Sequence, residues 1–243
     1  MKNKLLILTL LFPVFTYGQN SSSSVIKSVY ISDTLITKYP SSPGREHWIV
    51  MYSTGFMKCQ GVMQNGKRDG VWREYVGNNG LLSKSEEFKA GKKNGATLTM
   101  NSTGMVITDE TYENDTLNGL RTTYTETGRI KVTETFRNGI LEGQRKSYYD
   151  DGKLQQDAYY INGKMDGVAK WYLQSGKLTV EYTYRKGIMN GPAHLYDSNG
   201  LIKQEGNYLN DAEDGEWKEY TNGKLVKTIL YKNGTVIKET LAN

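Results

Sequence analysis

Two histidines, one cysteine and several Asp-Gly pairs are the residues of this chain whose chemistry suits catalysis or metal binding. A histidine can act as a general acid or base, and His with Asp or Glu can bind a metal ion. His47 lies beside Glu46, but no further ligands stand at a spacing that would complete a metal site. Ser, His and Asp occur without a G-x-S-x-G motif. The sequence therefore predicts no catalytic, metal or cofactor site.

The remaining reactive residues have structural interpretations. Asp166 and Asp214 each precede a glycine, a typical turn position at which Asp bonds its own backbone. His194 stands three residues after a glycine, at a position that elsewhere holds a basic residue. These interpretations predict that the chain is not an enzyme, and they direct attention to the glycines.

A glycine recurs almost every 24 residues along most of the chain. The positions are 70, 95, 119, 143, 167, 191 and 215. Other columns keep this spacing. Five residues after these glycines come Tyr75, Met100, Tyr124, Tyr148, Tyr172, Tyr196 and Tyr220; a second glycine series follows at 80, 104, 128, 152, 176, 200 and 223; and eight residues later stand Phe88, Tyr112, Phe136, Tyr160, Tyr184, Tyr208 and Tyr231. With an earlier degenerate copy containing Tyr52, Gly55 and Met63, the chain holds about eight repeats.

Each repeat has the pattern of a β-hairpin. The segment from Tyr149 to Lys153 predicts a turn with Gly152 in the left-handed region, which would pair Tyr148 with Leu154. A second turn is predicted at Asn162-Gly163, since this dipeptide tolerates consecutive positive φ angles. Frequent Gly, Thr and Tyr disfavour helix. We therefore predict an all-β fold: an elongated, single-layer antiparallel β-meander of about eight 24-residue hairpin repeats, with about sixteen strands.

Alternation along the strands predicts which side chains share a face. In the repeat that starts at Gly167, one face is expected to be apolar and aromatic, with Val168, Lys170, Tyr172, Leu178, Val180, Tyr182 and Tyr184. The other face is expected to be mostly polar, with Ala169, Trp171, Thr179, Glu181 and Thr183.

The candidate partner-binding residues are a basic column and a tyrosine column on one predicted face. They are Arg73, Tyr75, Tyr124, Lys146, Tyr148, Lys170, Tyr172, His194, Tyr196, Lys218 and Tyr220. One interpretation is structural: the cations support the rings and cover them with their aliphatic stems. The other is functional: the columns receive an acidic partner surface or anionic head groups. A single-layer sheet leaves little to bury such columns.

The ends of the chain differ from the repeats. Residues 1–18 have the basic start, apolar run and small-residue site of a signal peptide, so we expect export to the periplasm or the extracellular space. Residues 19–43 are expected to form a leader and capping strand, 44–234 the repeats, and 235–243 a C-terminal capping strand. No later apolar run reaches the about 20 residues of a transmembrane helix. Loss of Lys2 and Lys4 lowers the net charge from +5 to +3, which does not favour nucleic-acid binding.

The repeat resembles a known family. The pattern N-G-x-x-x-G-x-W-x-x-Y-x-x-x-G-x-L-x(5)-Y-x-x-G, present as NGKRDGVWREYVGNNGLL and NGKMDGVAKWYLQSGKLTVEYTYRKG, resembles the variant of the MORN (membrane occupation and recognition nexus) repeat over about residues 44–234. It is most similar to the bacterial branch labelled YwqK-type antitoxin. The resemblance implies a non-catalytic platform for proteins or lipids.

Two functions follow as expectations. The first is an exported protein-binding platform, with a toxin as one candidate partner, which would make the chain an antitoxin or immunity protein. The alternative is a scaffold on an envelope or lipid surface that binds anionic head groups.

Overall fold

The computed structural model describes residues 27–31, 34–77 and 79–242, and residues 1–18 of the expected signal peptide lie outside this part. The chain divides into two compact units, Met1–Thr116 and Leu117–Asn243. The strands of the first unit are β1 (Lys27–Ile31), β2 (Thr34–Ser42), β3 (Arg45–Tyr52), β4 (Met57–Gln64), β5 (Lys67–Tyr75), β6 (Leu82–Lys89), β7 (Lys92–Met100) and β8 (Val106–Glu113).

Strand β9 (Thr116–Tyr124) begins at the boundary and otherwise lies in the second unit. The others of the second unit are β10 (Ile130–Arg137), β11 (Ile140–Tyr148), β12 (Leu154–Ile161), β13 (Lys164–Met165), β14 (Gly167–Tyr172), β15 (Leu178–Arg185), β16 (Ile188–Tyr196), β17 (Ile202–Leu209), β18 (Ala212–Thr221), β19 (Lys224–Lys232) and β20 (Thr235–Leu241). The described residues include no helix that could cross a membrane.

Within each unit the strands form an antiparallel meander, in which each strand pairs with the next in sequence. Strands β13 and β14 both pair with β12 and are the two parts of one repeat strand. When β13 and β14 are counted as one strand, β3 to β19 supply the sixteen strands that eight hairpins require. The predicted all-β hairpin architecture is confirmed.

Both kinds of turn have the predicted geometry. The backbone N–H of Tyr149 donates to the Lys153 carbonyl at 2.8 Å, Tyr148 pairs with Leu154, and Gly152 has a φ of 88°. Asn162 and Gly163 have φ angles of 51° and 74°, as a two-residue hairpin turn with consecutive positive φ angles requires.

The two periodic columns of glycines and aromatic residues prove to be cross-strand partners. Gly167 pairs with Tyr184, and Gly191 pairs with Tyr208. Gly191 has a φ of 128°, in the left-handed region that favours glycine. Each such glycine starts a repeat beside the aromatic ring that ends the same hairpin.

The predicted division of side chains between the faces is wrong. Each hairpin carries one extra residue in its second strand, a β-bulge, next to the pair formed by the predicted tyrosine or methionine column. The extra residues, called the bulge residues, are Lys58, Ser83, Ile107, Lys131, Gln155, Thr179, Lys203 and Val226. One inserted residue reverses the alternation that follows it.

The consequence is clear in the hairpin of β14 and β15. Tyr172 pairs with Leu178 as expected, but beyond Thr179 the partner of Lys170 is Glu181, and Tyr182 pairs with Ala169. The aromatic side chains after the bulge therefore lie on the face opposite to the basic column. We call the face of Ala169 and Tyr182 the packing face, and the face of Lys170 and Glu181 the ladder face.

Large and small side chains alternate along the packing face of the second unit. Tyr182 pairs with Ala169 and Ala193, both buried, and Ala193 pairs with Gly206. A methyl group on Gly206 would collide with the indole ring of Trp217, which is 2% exposed. The rings of Tyr182, Tyr208, Trp217 and Tyr231 then follow one another in edge-to-face contacts with centroids 5.2–6.2 Å apart. Such pairs each add about 0.5–1.5 kcal/mol beyond burial of area.

The packing face of the first unit combines an indole with a buried carboxylate. Trp72 covers Gly61 in the same way as Trp217 covers Gly206. The cross-strand partner of Trp72 is Glu86, which is 4% exposed. The Oε1 atom of Glu86 lies 2.7 Å from the Lys93 Nζ. Burial raises the pKa of Glu86, but the hydrogen bond and charge of Lys93 and the charge of Lys84 outweigh burial, so this pKa lies below its ordinary value.

The fit of Trp217 over Gly206 can be tested with a double-mutant cycle. We expect Gly206→Ala to lower the free energy of unfolding by about 1–3 kcal/mol through overpacking, and Trp217→Ala to lower it by about 3–5 kcal/mol through the cavity it leaves. The double variant should lose less than the sum, because the new methyl group occupies space that the ring has left. Urea unfolding followed by far-UV circular dichroism measures each value.

Gly152→Ala is the matched control, because Gly152 has a positive φ but open space around its Cβ position. Its effect should add to that of Trp217→Ala. Additive effects of Gly206→Ala and Trp217→Ala would contradict the proposed fit.

Candidate functional site

The candidate binding residues occupy two alternate positions near the end of the first strand of each hairpin. Because these strands carry no inserted residue at that point, the basic residue and the tyrosine of one repeat share the ladder face. The second unit thus brings together the pairs Lys146 and Tyr148, Lys170 and Tyr172, His194 and Tyr196, and Lys218 and Tyr220, with Tyr124 on β9. The first unit holds Arg73 and Tyr75 on β5.

Acidic residues separate the basic residues of the second unit. The cross-strand pairs run in the order Lys146, Asp157, Lys170, Glu181, His194, Glu205 and Lys218, which we call the charge ladder. Lys170 Nζ lies 2.8 Å from Glu181 Oε1, and Lys146 Nζ lies 3.8 Å from Asp157 Oδ2. The three lysines therefore face three carboxylates, so the charge ladder has no net charge while His194 is neutral.

Tyrosine hydroxyls add a second set of contacts to the charge ladder. Tyr196 donates to Glu181 at 2.9 Å and Tyr220 donates to Glu205 at 2.7 Å. Burial and the Glu181 acceptor raise the pKa of Tyr196 to about 12, so its hydroxyl stays protonated and donates throughout the physiological range. In the first unit the Tyr75 hydroxyl accepts from the Gln60 amide at 2.7 Å. These bonds hold the rings in fixed positions on the face.

Glu181 has three different partners on the ladder face. It contacts Lys170, the Tyr196 hydroxyl and His194 Nδ1, the last at 3.7 Å. Burial raises the pKa of Glu181, but the bonds from Lys170 and Tyr196 and the charges of Lys170 and His194 outweigh burial, and this pKa lies below its ordinary value. The same carboxylate raises the pKa of Lys170. Both groups are therefore charged at neutral pH.

The other candidate residues have different neighbours. Tyr124, Tyr148 and Tyr172 pair with Ile130, Leu154 and Leu178, the first residues of the second strands. Lys218 Nζ lies 3.7 Å from Glu216, and Arg73, on an exposed position, pairs with Gln60 and Ser85. The cation–π contacts found in the described residues use Lys38, Lys58, Arg68 and Lys93, so the predicted column supports no ring in this way there.

The two histidines lie in different compact units. His47 on β3 pairs with Tyr39 and Val62, and His194 belongs to the charge ladder. Among the described residues, no three His, Cys, Asp or Glu side chains come close enough together to hold a metal ion. The arrangement of charged groups is that of a surface of paired charges.

An open cavity of about 600 Å³ lies in the second unit, where the sequence predicted none. Three consecutive bulge residues line it, namely Lys131, Gln155 and Thr179. Ser147 and Trp171 also line it; they occupy equivalent positions on β11 and β14. The cavity exists because a small serine stands where the next repeat has an indole.

Two features of this surface were missed from the sequence. The acidic members Asp157, Glu181 and Glu205 have the same 24-residue spacing as the basic column and could have been found by it. The cavity could not be found in this way, since it depends on the two bulges that place Lys131 and Gln155 in one cavity wall with Trp171.

Comparisons with known proteins identify part of the repeat array. Residues 141–162, 165–186 and 213–233 match the family model described as MORN repeat variant. The resemblance to this repeat family is thus confirmed, whereas the YwqK-type branch stays a prediction. No curated protein sequence matches the chain. A solved structure, a porin-like protein from Bacteroides uniformis ATCC 8492, is 13% identical, with 88% of this chain and 91% of that chain covered and a TM-score of 0.21.

The role of Glu181 predicts a pH-dependent loss of stability in the variant Glu181→Gln. At pH 7 we expect its free energy of unfolding to lie about 0.5–1 kcal/mol below that of the natural chain, because the ion pair with the partly exposed Lys170 is lost. A carboxylate with a lowered folded-state pKa stabilises above its ordinary value of 4.5 and loses this contribution as the pH falls through the folded-state pKa. The difference in the free energy of unfolding between Glu181→Gln and the natural chain should therefore become smaller below pH 4.5, as measured by urea titrations.

Glu126→Gln is the control, because Glu126 lies exposed in a turn. It should change stability by less than about 0.5 kcal/mol at either pH. If the gap between Glu181→Gln and the natural chain widened as the pH fell, the assigned role of Glu181 would be wrong.

Proposed function

We propose that this chain, built with MORN repeat variants, is an exported, non-catalytic platform that binds another protein. The observation that supports this most is the charge ladder, which repeats a basic residue, a carboxylate and a tyrosine on successive paired strands. Its side chains are held by ion pairs and hydrogen bonds before any partner arrives. A preordered polar surface loses less side-chain entropy on association.

The balance of charge favours a protein over an anionic lipid surface. Attraction to anionic lipid contributes about 1 kcal/mol for each basic residue near the surface. In the charge ladder, however, Asp157, Glu181 and Glu205 stand between the lysines and offset their charge. A protein partner with its own alternating charges can complement such a pattern, and a uniformly anionic membrane cannot.

The partner that the family label suggests is a toxin. An exported neutraliser would meet a toxin outside the cytoplasm, in the periplasm or the extracellular space. We therefore propose an immunity-type role for the chain in that location. The support for this role is the MORN-variant repeat together with the signal-peptide pattern of residues 1–18.

The binding proposal predicts capture of a discrete protein by the purified chain that starts at residue 19. Envelope and culture fractions of the producing cells supply the partner, and mass spectrometry identifies it. The double variant Lys170→Gln with Lys218→Gln should bind the captured protein at least about tenfold more weakly, since each lost charged contact costs on the order of 1 kcal/mol or more.

Lys224→Gln is the matched control, because Lys224 lies exposed at the start of β19 next to a turn. It should bind like the natural chain, and circular dichroism should show all variants folded. Equal binding by the double variant would refute the role of the charge ladder. Repeated failure to capture any protein would refute the platform. Flotation with anionic vesicles at low salt, lost at high salt, would instead support the lipid alternative.

A further inference from the structure

The open cavity beside Trp171 differs from the charge ladder in its chemistry. Its walls combine side chains of the packing face, such as Arg145 and Trp171, with the bulge residues Lys131 and Gln155. Its volume of about 600 Å³ lies within the range of ordinary ligand pockets, about 300–1,000 Å³. A ligand can bond only those polar groups of the wall that have no partner within the chain.

The indole N–H of Trp171 is one available donor. The other three indoles donate internally: Trp48 to the Glu46 carboxylate, Trp72 to the Val62 carbonyl and Trp217 to the Asn207 carbonyl, at 2.8–3.1 Å. Within the described residues, the Trp171 N–H meets no acceptor. The ring itself is fixed, because Tyr182 and Tyr184 pack against it with centroids 5.9 and 6.4 Å away.

The two glutamines of the wall have their acceptors occupied. Arg145, which can only donate, bonds the Gln156 Oε1 at 2.8 Å, and the Ser147 hydroxyl donates to the Gln155 Oε1 at 3.3 Å. The amide N–H groups of both glutamines therefore stay available, and neither finds an acceptor in the described part of the chain. The glutamine amides thus add hydrogen-bond donors to the same wall as the Trp171 N–H.

The charged groups and the Tyr149 hydroxyl of the wall differ in whether they already have a partner. Arg145 is compensated by Glu134 at 3.0 Å, whereas Lys131 has no carboxylate within ion-pair distance among the described residues. The Tyr149 hydroxyl is committed to the Tyr172 carbonyl at 2.7 Å. Apart from hydroxyl groups, which both donate and accept, the available side-chain groups of the wall are donors and one uncompensated cation, so the complementary ligand group is an anionic acceptor.

We propose that this cavity binds a carboxylate of an acidic segment of the protein partner. This proposal rests on the proposed protein-binding function. Lys131, the Trp171 N–H and the glutamine amides receive the two oxygens, and charge-assisted bonds of this kind are the stronger class. Val132, Tyr149 and the half-exposed Leu173 give the stem of the acidic residue and its neighbours apolar contact.

The occupant is a protein segment rather than a single small acid. A second open cavity of about 740 Å³ shares Lys131 with the first and is lined also by Tyr124, Arg129, Glu126 and Asp150. Two cavities that share one lysine suit a chain that continues past its carboxylate. Glu126 and Asp150 would repel an acidic polysaccharide, which carries a negative charge on successive sugars, but a polypeptide can place basic or neutral residues beside them.

A nuclear magnetic resonance titration of the chain from residue 19 tests the proposal. The probe is the peptide acetyl-Ala-Leu-Glu-Leu-Ala-amide, and the matched peptide has Gln in place of Glu. Trp171→Phe, which keeps the packing against the tyrosines, identifies the indole N–H signal of Trp171 by its loss. We expect the Glu peptide to shift this signal, and the three internally bonded indoles to stay unmoved.

We expect Lys131→Gln to lower the affinity for the Glu peptide at least threefold. Lys203→Gln is the matched control, because Lys203 is also a bulge residue but does not line the cavity. Equal shifts with the Gln peptide, equal affinity for Lys131→Gln, or a shift only with oligogalacturonate as an acidic sugar probe would overturn the proposal.

The proposal for the cavity and the proposal of a protein-binding platform can be refuted separately. If the captured partner binds Lys131→Gln and Trp171→Phe as tightly as the natural chain, the cavity proposal is wrong while the platform stands. If the Glu peptide binds at the cavity but no partner protein is ever captured, the cavity proposal is supported and the platform is not.

Discussion

One inserted residue in each hairpin decides which side chains share a face, and the rest of each compact unit depends on it. The insertion lies beside the tyrosine column, as at Thr179 opposite the pair Trp171 and Tyr172. Because strand side chains alternate with a period of two, a single extra residue moves the whole following segment to the opposite face. Tyr182 is thereby directed to Ala169, and Glu181 is directed to Lys170. In this hairpin the bulge therefore separates aromatic packing from charge pairing.

The sequence was informative wherever structure is set by local backbone chemistry. Gly152 and Asn162-Gly163 predict their turns correctly, since positive φ angles belong to few residue types. The 24-residue spacing predicts the hairpins, since only a repeated local structure maintains it. The two columns of glycine and aromatic residues were also visible, although not that Gly191 and Tyr208 are direct partners. Local signals therefore yield elements and turns, while partner identities require the register.

Prediction of the faces failed because a bulge has no strong residue signature. The bulge residues include Lys131, Gln155 and Val226, which share neither charge nor size. The pairing within the candidate site was hidden for the same reason: the basic column was visible in the sequence, but the position of Glu181 opposite Lys170 follows only once the insertion is placed. A surface that looked cationic along the sequence is neutral across the strands. The insertion also contributes to the cavity beside Trp171, because three bulge residues line it.

The packing face explains how the repeats can differ in sequence and still keep one backbone. The same cross-strand position is filled by Glu86 with Thr97, by Glu134 with Arg145, and by Tyr182 with Ala193. Gly206 beneath Trp217 is a fourth solution, in which the indole takes the space of both side chains. Glu134 and Arg145 compensate each other's charge, Glu86 is compensated by Lys93, and Tyr182 combines a large ring with a small alanine. A side chain at this position is thus accommodated by its neighbours, since interiors tolerate volume-conserving exchanges best. Single positions of the repeat can therefore vary widely, provided that their partners vary with them, whereas the glycines with positive φ have no partner that could compensate for a side chain.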